Sequence, residues 1–239
     1  MPGYIMHLAE GKIIQELLAG TDILPEGGRA LFEAGLLLPD TKRKKEKYTS
    51  HFWNDADMDK LAIAPDLGLF LAKYGSRLTE PVMMGYYAHL HLDWRFVEAL
   101  WPRCFQFLDG EGRERILWDE IRQVRILSRD RVVPVNDFYS DAWYYGDYSR
   151  MNRHFQEKYC LTVPDPDPAS LARLAMDEVC AEDLEDVFSE LAFLFAGKAG
   201  HKNEPLRVFT LDGLEIFLRE SAEFFVEEFT HISAFGIPT

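Results

Sequence analysis

Apolar residues recur at spacings of three and four along much of this chain, which is the pattern of helices that pack one face against a core. One long apolar stretch follows a helix-starting signal, Thr79-Glu80-Pro81, and runs to about Leu100. The residues that share one stripe of this helix are Val82, Tyr86, His89, Asp93 and Val97. Because most of them are apolar, we expect the stripe to face inward.

A histidine and an aspartate one turn apart lie on this inward stripe, and burial of either group costs free energy unless it finds a partner. At this spacing His89 and Asp93 are often only hydrogen-bonded to each other. An imidazole and a carboxylate at positions i and i+4 can also converge on one zinc ion. His91 points to another face of the helix, so we expect it to lie apart from such a site.

Further helices are predicted on both sides of this central one. Their ranges are about 4–19, 29–38, 66–74, 148–159, 169–179, 182–196 and 212–230, with Asp147 as the N-cap of the helix over 148–159. The apolar positions alternate around turn signals near residues 104–135, which predicts a small β-hairpin region with a helical segment over 113–122. Prolines at 164, 166 and 168 predict an irregular surface crossing. The fold class is therefore mainly α and multi-helical.

Length and composition narrow the class of protein. A chain of 239 residues with 47% hydrophobic residues is expected to form a single domain, 1–239, with a sizeable core. The net charge of −14 argues against binding to a nucleic-acid duplex. Three widely spaced cysteines, no visible secretory signal and no apolar run long enough to span a membrane predict a cytoplasmic protein.

Three more residues that can bind a metal ion come earlier in the chain. His7 shares a stripe with apolar residues of the first helix, Asp40 follows the second helix, and His51 stands among hydroxyl and aromatic side chains. Taken singly, His7 fits a hydrogen-bonded core histidine and Asp40 fits a turn residue. Together with His89 and Asp93 they form a mixed nitrogen and oxygen set that suits zinc, manganese or iron(II). This predicts a metal-ligand core within residues 1–100.

A basic run, Lys42-Arg43-Lys44-Lys45-Glu46-Lys47, stands out in this acidic chain. A run of charge is usually a solvated loop. It can also act as an electropositive lip that draws a small anionic or phosphate-containing substrate toward the candidate ligands. Under that interpretation the residues that contact the substrate are Lys44, Lys45 and Lys47.

The ordered set of ligands resembles the zinc-dependent phospholipase C and S1/P1 nuclease superfamily. The segments that carry the resemblance over about residues 1–100 are Met6-His7, Leu38-Pro39-Asp40, Ser50-His51-Phe52 and Gly85-Tyr86-Tyr87-Ala88-His89-Leu90-His91-Leu92-Asp93. Tyr145-Gly146-Asp147-Tyr148 with Met151-Asn152 looks like the cytosolic bacterial members, which are labelled only as hydrolases. The resemblance implies a phospholipase C-like helical bundle. It also implies one zinc ion held by Asp40, His51, His89 and Asp93, and a second served by His7 and Asp93.

The chain departs from that family in two respects. Secreted members complete the second site with the amino group of a processed N-terminal tryptophan, whereas this sequence begins Met1-Pro2. They also bind a third ion through a later H-x-x-x-E/D helix, and here His154 and His201 are each followed by Glu at the third position instead. We therefore expect one or two ions. The acidic residues that could substitute as ligands are Asp137, Asp141 and Asp147.

Three functions remain open at this point. The first is a metal-dependent hydrolase of a phosphoester, in which metal-activated water attacks and the lysines offset phosphoryl charge. The second is a non-catalytic, metal-stabilised module with a reduced site that binds a ligand or a partner. The third is an HD-type phosphohydrolase, which needs an adjacent His-Asp dipeptide that this sequence lacks.

Overall fold

The computed structural model describes residues 2–42, 46–196 and 204–235, with side chains as far as Ile232 in the last helix. This part of the chain is mainly helical and carries a small antiparallel sheet, which confirms the predicted fold class. The helices are α1 (Tyr4–Leu17), α2 (Arg29–Gly35), α3 (Lys47–Ser50), α4 (Leu67–Tyr74), α5 (Pro81–Arg95), α6 (Trp101–Cys104), α7 (Val135–Phe138), α8 (Tyr144–Lys158), α9 (Pro168–Leu171), α10 (Leu184–Phe195) and α11 (Leu211–Phe235). Within these described ranges, no helix combines the length and the apolar character needed to cross a membrane.

Helix α5 lies at the centre of the fold. It is buried on every side from Val82 to Asp93, and not only along one inward stripe, because α1, α2, α4 and α11 pack around it. Pro81 occupies its first turn, where the missing N–H costs no hydrogen bond. A π-helical segment, Phe96–Leu100, continues α5 into α6. The candidate ligands of α5 therefore lie in the deepest part of the described core.

Glycines bring α2 and α5 into backbone contact. A Cβ atom at Gly85 would overlap the carbonyl oxygen of Phe32, and one at Gly35 would overlap that of Val82. The two helices can cross this closely only because neither glycine carries a side chain. The end of α2 is thereby held beside α5 one turn before His89.

The sheet consists of β1 (Phe105–Leu108), β2 (Gln123–Ile126) and β3 (Arg131–Pro134), paired antiparallel in that order. The predicted β region at 104–135 is confirmed, with three strands rather than one hairpin. The predicted helical segment over 113–122 is wrong. The backbone of this segment is bonded instead to β1 and to residues 59–61, and these contacts replace the bonds of a helix.

Two further predictions are corrected by tertiary contacts. The predicted helix over 169–179 shortens to α9, because the Asp177 N–H donates to the Tyr74 hydroxyl and the Ala175 carbonyl accepts from Arg77. Asp147 is not an N-cap, since α8 begins at Tyr144 and buries Asp147 within its first turn. Residues 164–167 form no regular structure, as the prolines predict, but Pro164 and Pro166 are buried and so do not lie on the surface. Pro168 begins α9, where proline is favoured in the first turn.

Candidate metal centre

The five predicted ligands lie together in the core. His7 is on α1, Asp40 in the 3₁₀ turn Leu38–Thr41 after α2, His51 directly after α3, and His89 and Asp93 on α5. Four of them are completely buried, and Asp40 is 7% exposed. Their ligand atoms form two overlapping groups, each within 4.8 Å: Asp40 with His51 and His89, and His7 with His89 and Asp93.

Hydrogen bonds outside the cluster set the tautomers of two histidines. Nδ1 of His89 lies 2.7 Å from the Leu36 carbonyl oxygen, so Nδ1 carries a hydrogen, and in the neutral ring Nε2 is a bare lone pair. Nδ1 of His51 lies 2.9 Å from the Ser50 hydroxyl, which itself donates to the Pro39 carbonyl at 2.9 Å. Because the hydrogen of Ser50 is used on Pro39, its oxygen accepts from His51. Nε2 of His51 is therefore bare as well.

The two bare Nε2 atoms face each other at 3.4 Å. In the neutral rings neither atom has a hydrogen to donate, so the contact between His51 and His89 is then not a hydrogen bond. Asp93 Oδ2 lies 3.5 and 3.6 Å from these two atoms, and Asp40 Oδ1 lies 3.5 Å from that of His51. A tetrahedral zinc ion with bonds of about 2.0–2.1 Å separates its ligand atoms by about 3.3–3.4 Å. The spacings of these four pairs are therefore close to those around one tetrahedral ion.

His7 extends the cluster to one side. Its ring stacks on that of His89 with the centroids 3.7 Å apart, and its Nε2 lies 3.5 Å from Asp93 Oδ1. Neither nitrogen of His7 and neither oxygen of Asp93 has a hydrogen-bond partner in the part of the chain that the structure describes. Contacts of 3.5 Å are longer than ordinary hydrogen bonds. Asp93 thus presents one oxygen to each group of ligands, as a carboxylate that bridges two ions does.

Burial and mutual charge shift the protonation of these groups. Burial, with the neighbouring His89, lowers the pKa of His7 to about 4, and burial also lowers the pKa of His51. Burial by itself raises the pKa of Asp93, but the histidines outweigh it and the net pKa is lowered. Burial lowers the pKa of His89, but the charge of Asp93 outweighs it and the net pKa is raised. The centre therefore favours the ionised carboxylate that a metal ligand requires.

Lys47 lies at the outer edge of the centre. Its ammonium forms an ion pair with Asp40, and its side chain is 29% exposed. Burial raises the pKa of Asp40, but the nearby His51 and Lys47 contribute to lowering it well below its usual value. Of the three lysines predicted to contact a substrate, Lys47 is thus placed at the centre, whereas Lys44 and Lys45 lie outside the described residues.

A strained backbone residue follows His51. Phe52 has a φ of 51°, in the left-handed region that non-glycine residues rarely adopt. Its buried ring packs 5.2 Å from that of Phe70, and the Tyr86 hydroxyl donates to the Ser50 carbonyl at 2.6 Å. These contacts fix residues 50–52, and with them the position of His51 over α5.

The remaining sequence candidates lie elsewhere. His91 stacks on Phe224 with the ring centroids 5.6 Å apart, so it lies apart from the centre as its position on the helix predicts. His154 pairs with Glu215 at 2.6 Å, and His201 lies outside the described residues. The three acidic residues that could have substituted as ligands, Asp137, Asp141 and Asp147, belong to neither group of ligands.

Sequence reasoning missed the groups that stand behind the ligands. The Ser50 hydroxyl could have been suspected from its place next to His51, but nothing in the sequence marks the Leu36 carbonyl. Glu10 was also missed, although it lies one turn after His7 on α1. The H-x-x-E spacing indicates that the two side chains lie near each other on one face of the helix. Glu10 is completely buried, and burial raises its pKa to about 8.

Two bare imidazole nitrogens beside ionised carboxylates can bind a divalent cation of the zinc, manganese or iron(II) kind. No family model, curated protein or solved structure matches this chain. Its function must therefore be inferred from the geometry of the centre.

Proposed function

We propose that this protein is a metal-dependent hydrolase of a phosphoester, built on a centre of one or two ions. The observation that carries the proposal is the pair of bare Nε2 atoms of His51 and His89, which lie 3.4 Å apart. The order of the ligands also resembles the zinc-dependent phospholipase C and S1/P1 nuclease superfamily. We accordingly propose a phospholipase C-like bundle in one domain.

In this proposal Asp40, His51, His89 and Asp93 hold the first ion, and His7 with Asp93 serves a second. Zinc fits the spacings, and manganese or iron(II) fits the same donors. The chemistry that such an ion supplies is a water nucleophile at neutral pH and positive charge beside the phosphoryl oxygens. In the overall reaction the oxygen of water bonds to phosphorus, the ester P–O bond breaks, and the alcohol leaves with a proton.

The chain's own groups orient the ligands and exclude water. The Leu36 carbonyl and the Ser50 hydroxyl hold the two histidine rings so that both lone pairs point to the centre. Burial of the ligands removes bulk water, so charges interact more strongly there than at the surface. Lys47, already paired with Asp40, is placed to contact a phosphoryl oxygen when an ion takes over that carboxylate.

The proposed substrate is a small phosphate-containing molecule, and the proposed location is the cytoplasm. The net charge of −14 opposes a long polyanion such as a nucleic-acid duplex. All three cysteines are free, which fits a reducing compartment.

One observation favours a second function, a non-catalytic module that is stabilised by a metal. Four of the five ligands are completely buried, and the fifth is 7% exposed. Four protein ligands around one ion complete a tetrahedron, which is the closed coordination of a structural zinc site. Such a module would bind its ligand or partner through another surface.

Metal loading tests both functions. Protein freed of metal is titrated with zinc chloride by calorimetry, while its Tm and its hydrolysis of bis(4-nitrophenyl) phosphate are followed. We expect one or two zinc ions per chain and zinc-dependent release of nitrophenol. We also expect stabilisation of about 2.7 kcal/mol at a zinc concentration 100 times Kd. His89→Ala should abolish all three effects. The control His154→Ala, which changes a half-buried histidine outside the centre, should keep them.

The other outcomes decide between the functions. Tight zinc binding without hydrolysis, and without binding of inorganic phosphate to the zinc-loaded protein, would support the structural module. No zinc binding and no change in Tm would contradict both.

A further inference from the structure

A cavity of about 410 Å³ lies beside the candidate centre. This volume is in the range of small-molecule sites. Three tryptophans and four tyrosines make up most of its wall, and none of the described residues that line it carries a charge. Aromatic faces without charge suit a flat, uncharged group.

The cavity and the centre share a wall. The ring of Trp53, which lines the cavity, lies 5.8 Å from the ring of His51. Val97, another lining residue, follows Asp93 by four positions on the same continuous helix. Tyr148 lines the cavity as well, and its phenol is near enough that the charge of Asp93 adds to the effect of burial in raising its pKa. The cavity therefore borders the segments that carry His51 and Asp93.

One indole N–H group of the wall, Nε1 of Trp53, is buried and has no hydrogen-bond partner among the residues that the structure describes. A buried donor without an acceptor costs free energy, so a ligand that offers acceptors is favoured. Aromatic faces also attract cations, so the indole donor is what separates the two classes of ligand: it binds an acceptor, which a quaternary ammonium group does not offer.

We propose that this cavity is the subsite for an uncharged, planar ring of the substrate that carries hydrogen-bond acceptors. The ring stacks on the tryptophan and tyrosine faces, and an acceptor on it binds the indole N–H group of Trp53. This inference rests on the proposed function in one respect: the ring belongs to the ester whose phosphate reaches the metal centre. It deepens that function by naming the chemistry next to the phosphate.

Equilibrium binding of a probe without phosphate tests the subsite alone. The probe is 4-nitrobenzyl alcohol, which has a flat ring and acceptor oxygens, and binding is measured by calorimetry on the full chain with and without zinc. We expect saturable binding in both conditions. Choline should bind at least tenfold more weakly. Absence of saturable binding, or tighter binding of choline, would overturn the proposal.

Truncation at the cavity mouth locates the binding. Tyr145 and Trp118 line the cavity and are 52% and 54% exposed, so their loss should not unfold the chain. Tyr145→Ala and Trp118→Ala should each lower the affinity for the probe about fivefold or more, because each removes a stacking face. The matched control is Phe193→Ala, which removes a ring of equal exposure, 52%, on α10 and should leave binding unchanged. Equal affinity in all these variants would place the probe elsewhere and contradict the proposal.

A further variant tests the hydrogen bond. Trp53→Phe keeps an aromatic ring and removes the N–H group. Its affinity for 4-nitrobenzyl alcohol should therefore fall severalfold, whereas its affinity for toluene should equal that of the original chain. An equal effect on both probes would contradict the role of the indole donor.

The outcomes for subsite and hydrolase are separable. Hydrolysis of bis(4-nitrophenyl) phosphate without any probe binding refutes the subsite alone. Probe binding in a chain that neither binds zinc nor hydrolyses esters refutes the proposed function and leaves the subsite in place.

Discussion

Asp93 and Asp147 are both completely buried, but they differ in the hydrogen bonds that the chain donates to their carboxylates. Asp147, in the first turn of α8, accepts hydrogen bonds of 2.7–3.1 Å from the backbone N–H groups of residues 207–209 and pairs with Arg150 at 3.2 Å. Asp93, on α5, accepts no hydrogen bond from any residue that the structure describes. A buried carboxylate that the chain satisfies fastens two segments together. One that the chain leaves unsatisfied needs a partner from outside the chain.

Glu10 sharpens the comparison, because its oxygens also lack a hydrogen-bond partner in the described core. Its environment supplies no histidine, and burial raises its pKa to about 8, so it is mainly neutral at pH 7. Asp93 is surrounded by three histidines that lower its pKa and keep it ionised. The mark of a metal ligand is thus a buried carboxylate that is both unsatisfied and held in its charged form.

The largest loss of stability is expected on replacing Asp147, the aspartate whose hydrogen bonds the chain supplies. Asp147→Ala removes a buried acceptor from three N–H groups and from the Arg150 guanidinium, so the free energy of unfolding should fall by about 3–5 kcal/mol. Urea denaturation measures this. The control is Asp141→Ala, an exposed aspartate three residues before α8, which should change stability by less than about 0.5 kcal/mol. Loss of zinc binding by folded Asp147→Ala would contradict a purely structural role for Asp147.

A smaller and pH-dependent effect is expected at Glu10. Its pKa is about 8 in the folded chain against 4.5 as its ordinary value. Below pH 4.5 both states hold the proton. As the pH rises from 4.5 to 8, only the unfolded state releases it, so the free energy of unfolding falls. Glu10→Gln removes this loss, and at pH 7 it should be more stable than the original chain by about 3 kcal/mol.

Denaturation at several pH values checks the prediction. The difference between Glu10→Gln and the original chain should vanish near pH 4 and grow steadily toward pH 8. Glu16→Gln, a change at an exposed glutamate on the same helix, should show no such trend. A constant difference across this range would show that Glu10 is not a neutral buried acid.

The smallest effect is expected at Ser50. Ser50→Ala leaves the Nδ1 hydrogen of His51 without its acceptor, so the ring is free to change tautomer and orientation. The affinity for zinc should fall about tenfold, the usual size of such losses. Ser149→Ala, which removes a hydroxyl bonded to a helix carbonyl on α8, should bind zinc as the original chain does. Equal affinities in both variants would show that the Ser50 bond does not orient the ligand.

The sequence was sufficient for the main features of the candidate site. Spacing on a helix placed His89 and Asp93 on one stripe, and position relative to apolar segments singled out His7, Asp40 and His51. The structure brings all five into the two groups of ligand atoms. Local periodicity could also separate His91 from them, because a two-residue step on a helix rotates a side chain to another face.

What the sequence could not supply depends on contacts between distant segments. Asp147 looked like a helix cap because the partners that bury it come from about sixty residues later in the chain. The segment over 113–122 looked helical, but bonds to β1 and to residues 59–61 replace those of a helix. Likewise, no local pattern shows that glycine contacts bring α2 close enough for the Leu36 carbonyl to set the tautomer of His89.

The most direct test of the central claim compares zinc binding by the two buried aspartates. Asp93→Asn and Asp147→Asn are made as a matched pair, their folding is checked by circular dichroism, and each is titrated with zinc by calorimetry. We predict that Asp93→Asn still folds but loses zinc affinity by at least about 100-fold, since Asn cannot supply the anionic oxygen that holds the ion. Because the histidines stabilise the ionised Asp93 of the metal-free protein, its metal-free stability should also fall. Asp147→Asn should bind zinc as the original chain does. An unchanged zinc affinity in Asp93→Asn would contradict the account.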